Sequence, residues 1–438
     1  MDIGIININD LGVQVAVNDQ LICNSPGYAV IDDDRIFLGD EGRSRCKILP
    51  KWTNNHFWNE INANKLLQTN SFVRNNADLV YLHIKQLWAL IEKEVQALII
   101  AVPGSFDEEK LGLLAGICEE HQIPLRSFVD SSVLEASFTE THENILHLEL
   151  YLHSIALTKI SKGRTTVRND TKEISDYGFS KLVGNWANLI SDQFIHNHRY
   201  DPFHNAQTEQ DLFDKIPEWM SSFGEESIKT FGLKSSNGYQ EVSISREALI
   251  KNCASIYQQI IETINVTITS GEKTSLLLSS RLKGLPGFKS ALELLKEIEI
   301  VDLSNLSAIT SIFELKEELA KEGGGIKYFD RVVSLKKTKR SSLPSHSQTP
   351  SHLLWKHRAF PIHTNFNIDA DSMNGPYQSE DPVARLSISE SNLNLEIFKP
   401  DFIQVNGLPA TEDCLLSTGD HLTIRAEQMV LISEINNG

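Results

Sequence analysis

The sequence predicts a large α/β domain followed by a small all-β domain, and three observations lead to this prediction. Over residues 1–335, short apolar strand-like segments alternate with helix-like segments, which is the pattern of α/β architecture. Residues 336–351, KKTKRSSLPSHSQTPS, are basic and polar without apolar periodicity, which is typical of an exposed linker. Residues 352–438 contain strand-like segments only, over a length sufficient for a sandwich or a small barrel.

The first forty residues predict an antiparallel meander. Its strands are residues 3–7, 13–17, 28–31 and 35–38, separated by the turn-forming sequences NDLG, NDQ, SPG and DDD. Farther on, the apolar spacing predicts a helix over 79–91, a buried strand over 97–102 that ends at Pro103, and a helix over 107–121. A buried strand that leads into a helix is one half of a parallel crossover unit.

Composition limits the class of protein and its partners. The chain has 438 residues, which predicts two to four packed units, and a formal net charge of -17. No apolar run approaches the roughly 18 residues of a membrane span, and an acidic chain is a poor binder of nucleic acid. We therefore expect protein partners, with neither a membrane nor nucleic acid among them.

The cysteines and the first residues predict a compartment. Five cysteines lie far apart and never form a C-x-x-C pair, so we expect neither a zinc cage nor a disulfide framework. The opening sequence MDIGIININD lacks the basic and then long apolar stretch of a secretory signal. Together these features favour the cytoplasm.

A family resemblance begins at residues 97–138, ALIIAVPGSFDEEKLGLLAGICEEHQIPLRSFVDSSVLEASF. This segment resembles the stretch of DnaK-type heat-shock chaperones in which a strand ends at V-P-A-x-F and a second strand leads into N-E-P-x-A-A-A-x-x-Y. Asp130 stands at the position of the family's Glu. Residues 244–264, ISREALIKNCASIYQQIIETI, are similar to the family's I-T-R-x-x-F-E-x-x-C helix. The resemblance covers roughly residues 1–325 and implies a two-lobed, actin-like ATPase fold that binds ATP or ADP with Mg²⁺ between its lobes.

The first phosphate-binding hairpin of the family reads D-L-G-T-T, and this chain offers Asp10, Leu11, Gly12, Val13 and Gln14. The resemblance implies that Asp10 is catalytic and that Gly12 and Gln14 contact nucleotide, but both hydroxyls of the motif are missing. A second register aligns IGI at residues 3–5 with the family's I-G-I and places Ile6 at the acid. Either register weakens the site.

The second hairpin of the family reads D-L-G-G-G-T, and residues 149–154 of this chain read ELYLHS. The resemblance implies a catalytic or Mg²⁺-binding role for Glu149 and a nucleotide contact for Ser154, although Glu149 also suits an ordinary strand end. Glycine is needed in such a loop because a Cβ blocks the approach of phosphate. We therefore expect Tyr151, Leu152 and His153 to obstruct the γ-phosphate position.

Two further nucleotide motifs are altered. The family's adenosine motif G-G-x-x-R-x-P is matched by Ser279, Ser280 and Arg281, with serine in place of both glycines. The family's L-G-G-x-x-F is matched by Gly178 with Phe179, and no lysine aligns with the family's catalytic lysine. Each lost group removes a factor on the order of 10²-fold in rate, so we expect no efficient hydrolysis.

Two weaker patterns remain. His121, His142, His147 and His153 lie near the second hairpin in sequence, but without the spacing of a metal site, so we predict no metal site. In the last domain, FIQVNGLPATEDCLLSTGDHLTI is similar to the end of a forkhead-associated β-domain through Asn406, Gly407, Gly419 and Asp420. The family's phosphothreonine site needs a G-R turn and an S-x-x-H motif, neither of which is clear here, and Arg385 with Ser387 or Ser389 is a weak substitute, so we expect a protein-interaction module.

These observations favour a chaperone-like or scaffolding pseudo-ATPase that acts through protein contacts. The alternative is a slow but functional ATP-binding chaperone ATPase that uses Asp10, Gly12, Asp130 and Glu149 in altered geometry. A sugar or metabolite kinase on the same fold is disfavoured because such enzymes need the hydroxyl and glycine loops that are lost here.

Overall fold

The structure is a computed structural model, and it describes residues 2–336 and 350–432 with short gaps. The gaps are residues 34, 223–225, 236–237, 270, 296–297, 322, 324, 357, 363–365, 369–381, 390–391, 406–407, 411–412, 417 and 425–426. The chain divides into two compact units, Met1–Ser341 and Ser342–Gly438. This division falls inside the basic, polar segment 336–351, most of which lies outside the described residues.

The first unit is a mixed α/β structure with two six-stranded sheets. The strands of the first sheet are β1 (Ile3–Asn7), β2 (Val13–Val17), β3 (Gln20–Ser25), β7 (Ala97–Val102), β8 (Leu125–Asp130) and β16 (Lys327–Phe329). Their order is β16-β8-β7-β1-β2-β3, in which β1 to β3 are antiparallel and β1, β7, β8 and β16 are parallel. Because apolar clusters cover both faces, β7 is buried at every position.

The predicted strands at residues 3–7, 13–17 and 97–102 are confirmed, but the predicted meander is wrong in its second part. The strands β4 (Ala29–Asp32) and β5 (Arg35–Leu38) form a separate three-stranded sheet with β6 (Thr53–Asn54), in the order β5-β4-β6. The third strand of the meander is instead β3, which was not predicted. Pro26 follows β3 directly, and the ladder ends there because proline has no N–H to donate.

Four helices belong to the N-terminal part of the unit, and side-chain caps fix where three of them begin. They are α1 (Asp40–Arg43), α2 (Asn76–Trp88), α3 (Glu108–Glu120) and α4 (Ser131–Phe138). The side chains of Asn75, Asp107 and Asp130 accept hydrogen bonds from the first turns of α2, α3 and α4. The Asn75 cap explains why α2 starts three residues before the predicted 79–91, and the helix also ends three residues earlier, at Trp88.

Five strands of the second sheet repeat the arrangement of five strands of the first, and the sixth strand lies at the opposite edge. Its strands are β9 (Asn144–Leu150), β10 (Ser154–Lys162), β11 (Thr165–Ser175), β14 (Thr274–Leu278), β15 (Ile298–Asp302) and β17 (Arg331–Val333). Their order is β15-β14-β9-β10-β11-β17, with β9 to β11 antiparallel and β9, β14 and β15 parallel. The hairpin β9–β10 therefore occupies in the second sheet the place that β1–β2 occupies in the first.

The remaining elements of this unit surround the second sheet or return to the first. They are α5 (Phe179–His198), α6 (Ala206–Ser221), β12 (Ile228–Ser235), β13 (Gly238–Ser245), α7 (Arg246–Asn252), α8 (Ala254–Thr267), α9 (Ser280–Lys283), α10 (Phe288–Leu292), α11 (Ser307–Glu314) and α12 (Lys316–Leu319). On α5, Leu182, Trp186, Ile190 and Phe194 recur at helical spacing and are buried in the core of the second sheet. No helix in the described part of the chain has the length and apolar character needed to cross a membrane.

In the second unit, the described residues form two β-sheets around one apolar cluster. The strands are β18 (His352–Trp355), β19 (Arg358–Pro361), β20 (Phe366–Ile368), β21 (Ala384–Ser389), β22 (Asn392–Ile397), β23 (Ile403–Val405), β24 (Leu408–Pro409), β25 (Cys414–Leu416), β26 (His421–Ile424) and β27 (Glu427–Ile432). The sheet orders are β19-β18-β27-β26-β23-β24 and β20-β21-β22-β25. Of the residues that carry the forkhead-associated resemblance, Gly419 and Asp420 lie in the turn before β26, while Asn406 and Gly407 lie outside the described residues.

Candidate functional site

The turns of the hairpins β1–β2 and β9–β10 meet and bond directly to each other. The Asn9 side-chain amide donates to the backbone oxygen of Leu150 at 3.1 Å. The backbone N–H of Leu152 donates to Oδ1 of Asp10 at 2.6 Å. We call these two hydrogen bonds the hairpin bridge. The carboxylate of Asp10 thus occupies a backbone donor that a phosphate would need in a loop of this kind.

The second turn, Tyr151 to His153, is packed with its own side chains. Leu152 is 1% exposed and lies in an apolar cluster with Tyr28 and Cys46. The His153 ring stacks on His56 with centroids 3.6 Å apart, and its Nε2 is 3.0 Å from the backbone oxygen of Asn55. Leu152 is therefore a core residue, and His153 is fixed by its contacts with residues 55 and 56.

Tyr151 lies among the three acids that the resemblance implies to be catalytic. Burial, followed by the negative charges of Glu149, Asp130 and Asp10, raises the pKa of its phenol well above the ordinary value. The cavity that remains beside Tyr151, Asp10 and Ser154 has a volume of about 10 Å³. That volume holds about one water molecule.

Asp10 is 4% exposed and sits in the first turn, where the D-L-G register places it. Burial raises the pKa of its carboxyl to about 7, against the opposing effects of the Leu152 N–H and the Arg281 guanidinium. Nearby, the backbone oxygen of Gly12 accepts a hydrogen bond from Arg281 at 3.3 Å. The hydrogen-bond partner of the Asp10 side chain is thus another part of the protein, the backbone N–H of Leu152.

Gln14 lies in β2 rather than in the turn, and its side chain is fully used within the protein. Its Oε1 accepts from the Asn7 amide at 3.0 Å, and its Nε2 donates to the backbone oxygen of Asn305 at 3.0 Å. The side chain is 1% exposed. Gln14 therefore serves to join the β1–β2 hairpin to the segment before α11.

Asp130 caps α4 and forms an ion pair with Arg168. Its Oδ1 accepts from the backbone N–H of Ser132 at 2.9 Å and from the Ser132 hydroxyl at 2.6 Å. Its Oδ2 is 3.1 Å from Nε of Arg168, whose guanidinium also donates to the backbone oxygen of Gly104. Burial raises the pKa of Asp130, while Ser132 and Arg168 oppose the shift. Sequence reasoning missed Arg168 because nothing in β11 marks it as a partner of this acid.

Glu149 belongs to a buried group with Glu135 and His147, in which one ligand-type atom of each residue lies within 4.8 Å of the others. Nε2 of His147 is 2.6 Å from Oε2 of Glu135, and Oε2 of Glu149 is 3.5 Å from Nη1 of Arg281. Burial alone would lower the His147 pKa, but the hydrogen bond and charge of Glu135 raise it. Each of the two acids therefore has a partner within the protein, Glu135 in His147 and Glu149 in Arg281.

Glu135 was missed at the sequence level, although one signal marks it. It is the only charged residue in the apolar helix α4, and it is buried. A lone acid inside an apolar helical run needs a partner, and His147 on β9 is that partner.

The four histidines near the second hairpin do not converge. The His121 ring stacks on Tyr81, and His142 lies 3.3 Å from Glu299. His147 and His153 have the partners already described. Their proximity in sequence does not become a common site because each pairs with a different element.

Ser154 and Gly178 adjoin the second turn. Ser154 is 3% exposed, and its backbone oxygen accepts the N–H of Tyr151 at 2.9 Å. A Cβ at Gly178 would lie 2.4 Å from the backbone carbonyl carbon of His153 and 2.4 Å from the backbone nitrogen of Ser154. Glycine is therefore required where α5 begins, because the turn backbone passes against it.

The adenosine-type loop contributes Ser279, Ser280 and Arg281. The N–H of Ser279 donates to the backbone oxygen of Leu148 at 3.1 Å, and the Ser280 hydroxyl is 3.4 Å from Oδ1 of Asn305. Arg281 contacts both hairpins through Gly12 and Glu149. The loop is therefore close to the hairpins, and its one cationic side chain is directed at the protein's own polar groups.

Comparison with known proteins does not assign the chain to a family. No protein-family model matches the sequence, and no curated protein matches it.

Proposed function

We propose that this protein is a pseudo-ATPase of the two-lobed, actin-like, DnaK type, which acts as a chaperone-like or scaffolding protein through contacts with other proteins in the cytoplasm. The repeated arrangement of its two six-stranded sheets supports the two-lobed part of this proposal. In such a fold each sheet would form one lobe, and the hairpins β1–β2 and β9–β10 would be the two phosphate loops.

The observation that carries the proposal is the closed space between the hairpin turns. A triphosphate with Mg²⁺ needs room and free backbone donors between such loops. Here about 10 Å³ remains beside Tyr151, and the Leu152 N–H already bonds to Asp10. Nucleotide binding at this place would require Tyr151 to leave its position and the hairpin bridge to break.

The charges around the closed space support the same conclusion. The candidate catalytic acids Asp10, Asp130 and Glu149 each face a donor or a cation of the protein: Leu152 N–H, Arg168 and Arg281. Acids that hold Mg²⁺ in a phosphoryl-transfer site need to be ionised and open to the metal. Burial raises the pKa of all three instead.

The second unit fits the role of an interaction module. Its resemblance to a forkhead-associated domain lacks the phosphothreonine motifs, and Arg385 on β21 already lies 3.3 Å from Glu396 and 2.9 Å from the Asn367 side chain. An arginine so paired is a poor anchor for phosphate. We therefore assign to this unit contacts with proteins that do not depend on phosphorylation.

One specific observation favours the alternative of a slow ATP-binding chaperone. The charges of all three acids and of Arg281 still act on one buried phenol, that of Tyr151. If that side chain moves out, the groups left behind include the acids that such chemistry uses. The alternative therefore predicts a nucleotide affinity that depends on Asp10.

Thermal unfolding of the full chain with and without millimolar Mg-ATP and Mg-ADP tests the proposal. A ligand at 100 times its Kd stabilises by about 2.7 kcal/mol, which is readily seen as a higher melting temperature. We expect no shift, and no Mg²⁺-dependent hydrolysis above the buffer rate. A shift that disappears in Asp10→Ala would establish the alternative, whereas a shift that persists in Asp10→Ala would place nucleotide elsewhere in the protein.

A further inference from the structure

A cavity of about 300 Å³ lies in the first unit between residues 46–55 on one side and the helices α5 and α6 on the other. This volume is at the lower end of the roughly 300–1,000 Å³ of small-molecule sites. None of the residues 279–287 lines it, so it is separate from the adenosine-type loop. It is also separate from the closed space beside Asp10, with which it shares no lining residue.

The walls of the cavity are mainly apolar and aromatic. The rings of Tyr28, Phe203 and Phe213 line it, and the apolar side chains of Val183 and Leu212 lie between them on α5 and α6. Aromatic side chains bury large areas and favour stacked or edge-on contacts with another ring. Such walls suit a flat apolar ligand better than a flexible polar one.

The charges at the cavity cancel. Lys47 and Glu209 line it and form an ion pair of 3.2 Å. His153 is neutral at physiological pH because burial lowers its pKa to about 4. A charged ligand would lose its hydration on entry and meet no counter-charge that is free to pair with it, so an uncharged ligand is preferred.

Two hydroxyl groups at the cavity interact with each other. The Ser180 side chain, in the first turn of α5, interacts with the Tyr28 hydroxyl, and both residues line the cavity. A hydroxyl group has one donor and two acceptor sites, so Ser180 can still accept an N–H from a ligand.

We propose that this cavity is a binding site for a small, uncharged aromatic compound of two or three rings with one hydrogen-bonding group at its edge. The inference does not rest on the proposed pseudo-ATPase function, because it uses a different cavity. It adds a small-molecule ligand to a protein otherwise expected to bind proteins.

The experiment is a fluorescence titration of the full chain with N-phenyl-1-naphthylamine, an uncharged aromatic amine that brightens in apolar sites. A matched pair of variants locates the site. A Cβ added at Gly184, which lines the cavity on α5, meets no atom within 4 Å, and the same holds for Gly112 on the remote helix α3. We expect saturable 1:1 binding that Gly184→Phe weakens at least tenfold and Gly112→Phe leaves unchanged, with both variants folded by thermal unfolding.

Equal binding by both variants, or non-saturating binding by the wild type, would overturn the proposal. Competition then tests the ligand chemistry: indole should displace the probe at least tenfold better than the anion indole-3-acetate or the cation tryptamine. Ser180→Ala should weaken indole several-fold and leave naphthalene unchanged. Displacement of the probe by Mg-ATP at micromolar concentration would contradict the proposal, because it would assign the cavity to nucleotide.

Discussion

The two hairpin turns occupy equivalent places in two sheets that share the order of five strands, yet they are built from opposite kinds of residue. The first turn is polar and contains Asn9, Asp10 and Gly12, whereas the second consists of Tyr151, Leu152 and His153. The polar turn supplies the acceptor and the side-chain donor, and the bulky turn supplies a backbone N–H and the buried apolar surface. The comparison teaches that a polar turn and an apolar turn can complement each other, because each supplies hydrogen-bond partners to the other.

The largest expected effect is the pH dependence that Asp10 gives to stability. Its pKa rises from 3.8 to about 7 on folding, so the folded state binds more protons between these values. The stabilisation is complete below about pH 3.8 and is lost as the pH rises through about 7, a change of about 4 kcal/mol at 1.36 kcal/mol per pKa unit. Asp10→Asn keeps an acceptor for Leu152 but cannot ionise. Urea unfolding of both proteins from pH 4 to 8 should show the wild type lose about this much free energy of unfolding relative to Asp10→Asn, and parallel curves would contradict it.

A smaller effect is expected at the leucines of the two turns. Leu152 is 1% exposed, and Leu152→Ala should lower the free energy of unfolding by about 3 kcal/mol because it leaves a cavity beside Tyr28 and Cys46. Leu11, in the first turn, is only partly buried, and Leu11→Ala should cost about 1 kcal/mol. Urea unfolding at pH 7 measures both, and similar losses would show that the two turns do not differ in packing.

The glycines beside the two turns should differ in the same direction. Gly178→Ala forces a Cβ against the backbone of His153 and Ser154, and we expect a loss of about 2 kcal/mol. At Gly12 the Cβ would meet the Asn24 side-chain oxygen at 2.3 Å, but that side chain can rotate away. Gly12→Ala should therefore cost less than about 1 kcal/mol. A larger loss at Gly12 than at Gly178 in thermal unfolding would reverse this ranking.

The smallest effect concerns the side chain that contacts both hairpins. Arg281→Met removes the contacts with Gly12 and Glu149 and should cost about 1.5 kcal/mol, the scale of one hydrogen bond to a charged group. Lys283→Met on the same helix is the control, since its side chain is 59% exposed and 3.9 Å from Asp302. We expect that control to change the free energy of unfolding by less than about 0.5 kcal/mol. An equal loss in both variants would assign the effect to the helix rather than to the hairpins.

The sequence predicts much of the backbone of the first unit because its strands are short apolar runs bounded by turn residues. β1, β2 and β7 begin and end where NDLG, NDQ and the Pro103 turn place them. The strand β3 was missed because its apolar residues, Leu21 to Cys23, form only a short run between turn sequences, and none of them is buried. Local propensity therefore locates the buried strands of this sheet and misses its edge strand β3, although it locates β5 at the edge of the small sheet.

The sequence names residues beside the two turns but does not indicate which groups they bond to. Asp10 and Glu149 could be located by their place beside turns, yet the partner of Asp10 lies 142 residues away in Leu152. The partners Arg168 and His147 likewise come from other strands. The 300 Å³ cavity could not be foreseen at all, since it is formed by helices and a segment whose apposition no local pattern encodes.

Because of the hairpin bridge, the exchange rate of one amide hydrogen reports how often the two turns separate. The N–H of Leu152 is shielded only while its turn touches Asp10, so its exchange with deuterium requires the two sheets to separate at this point. In a protein whose halves close on a ligand, the ligand concentration determines how often the halves separate. Here hydrogen bonds within the protein hold the two turns together, so the rate of separation does not depend on a ligand. A binding partner can change how often the turns separate only by binding one arrangement more tightly than the other.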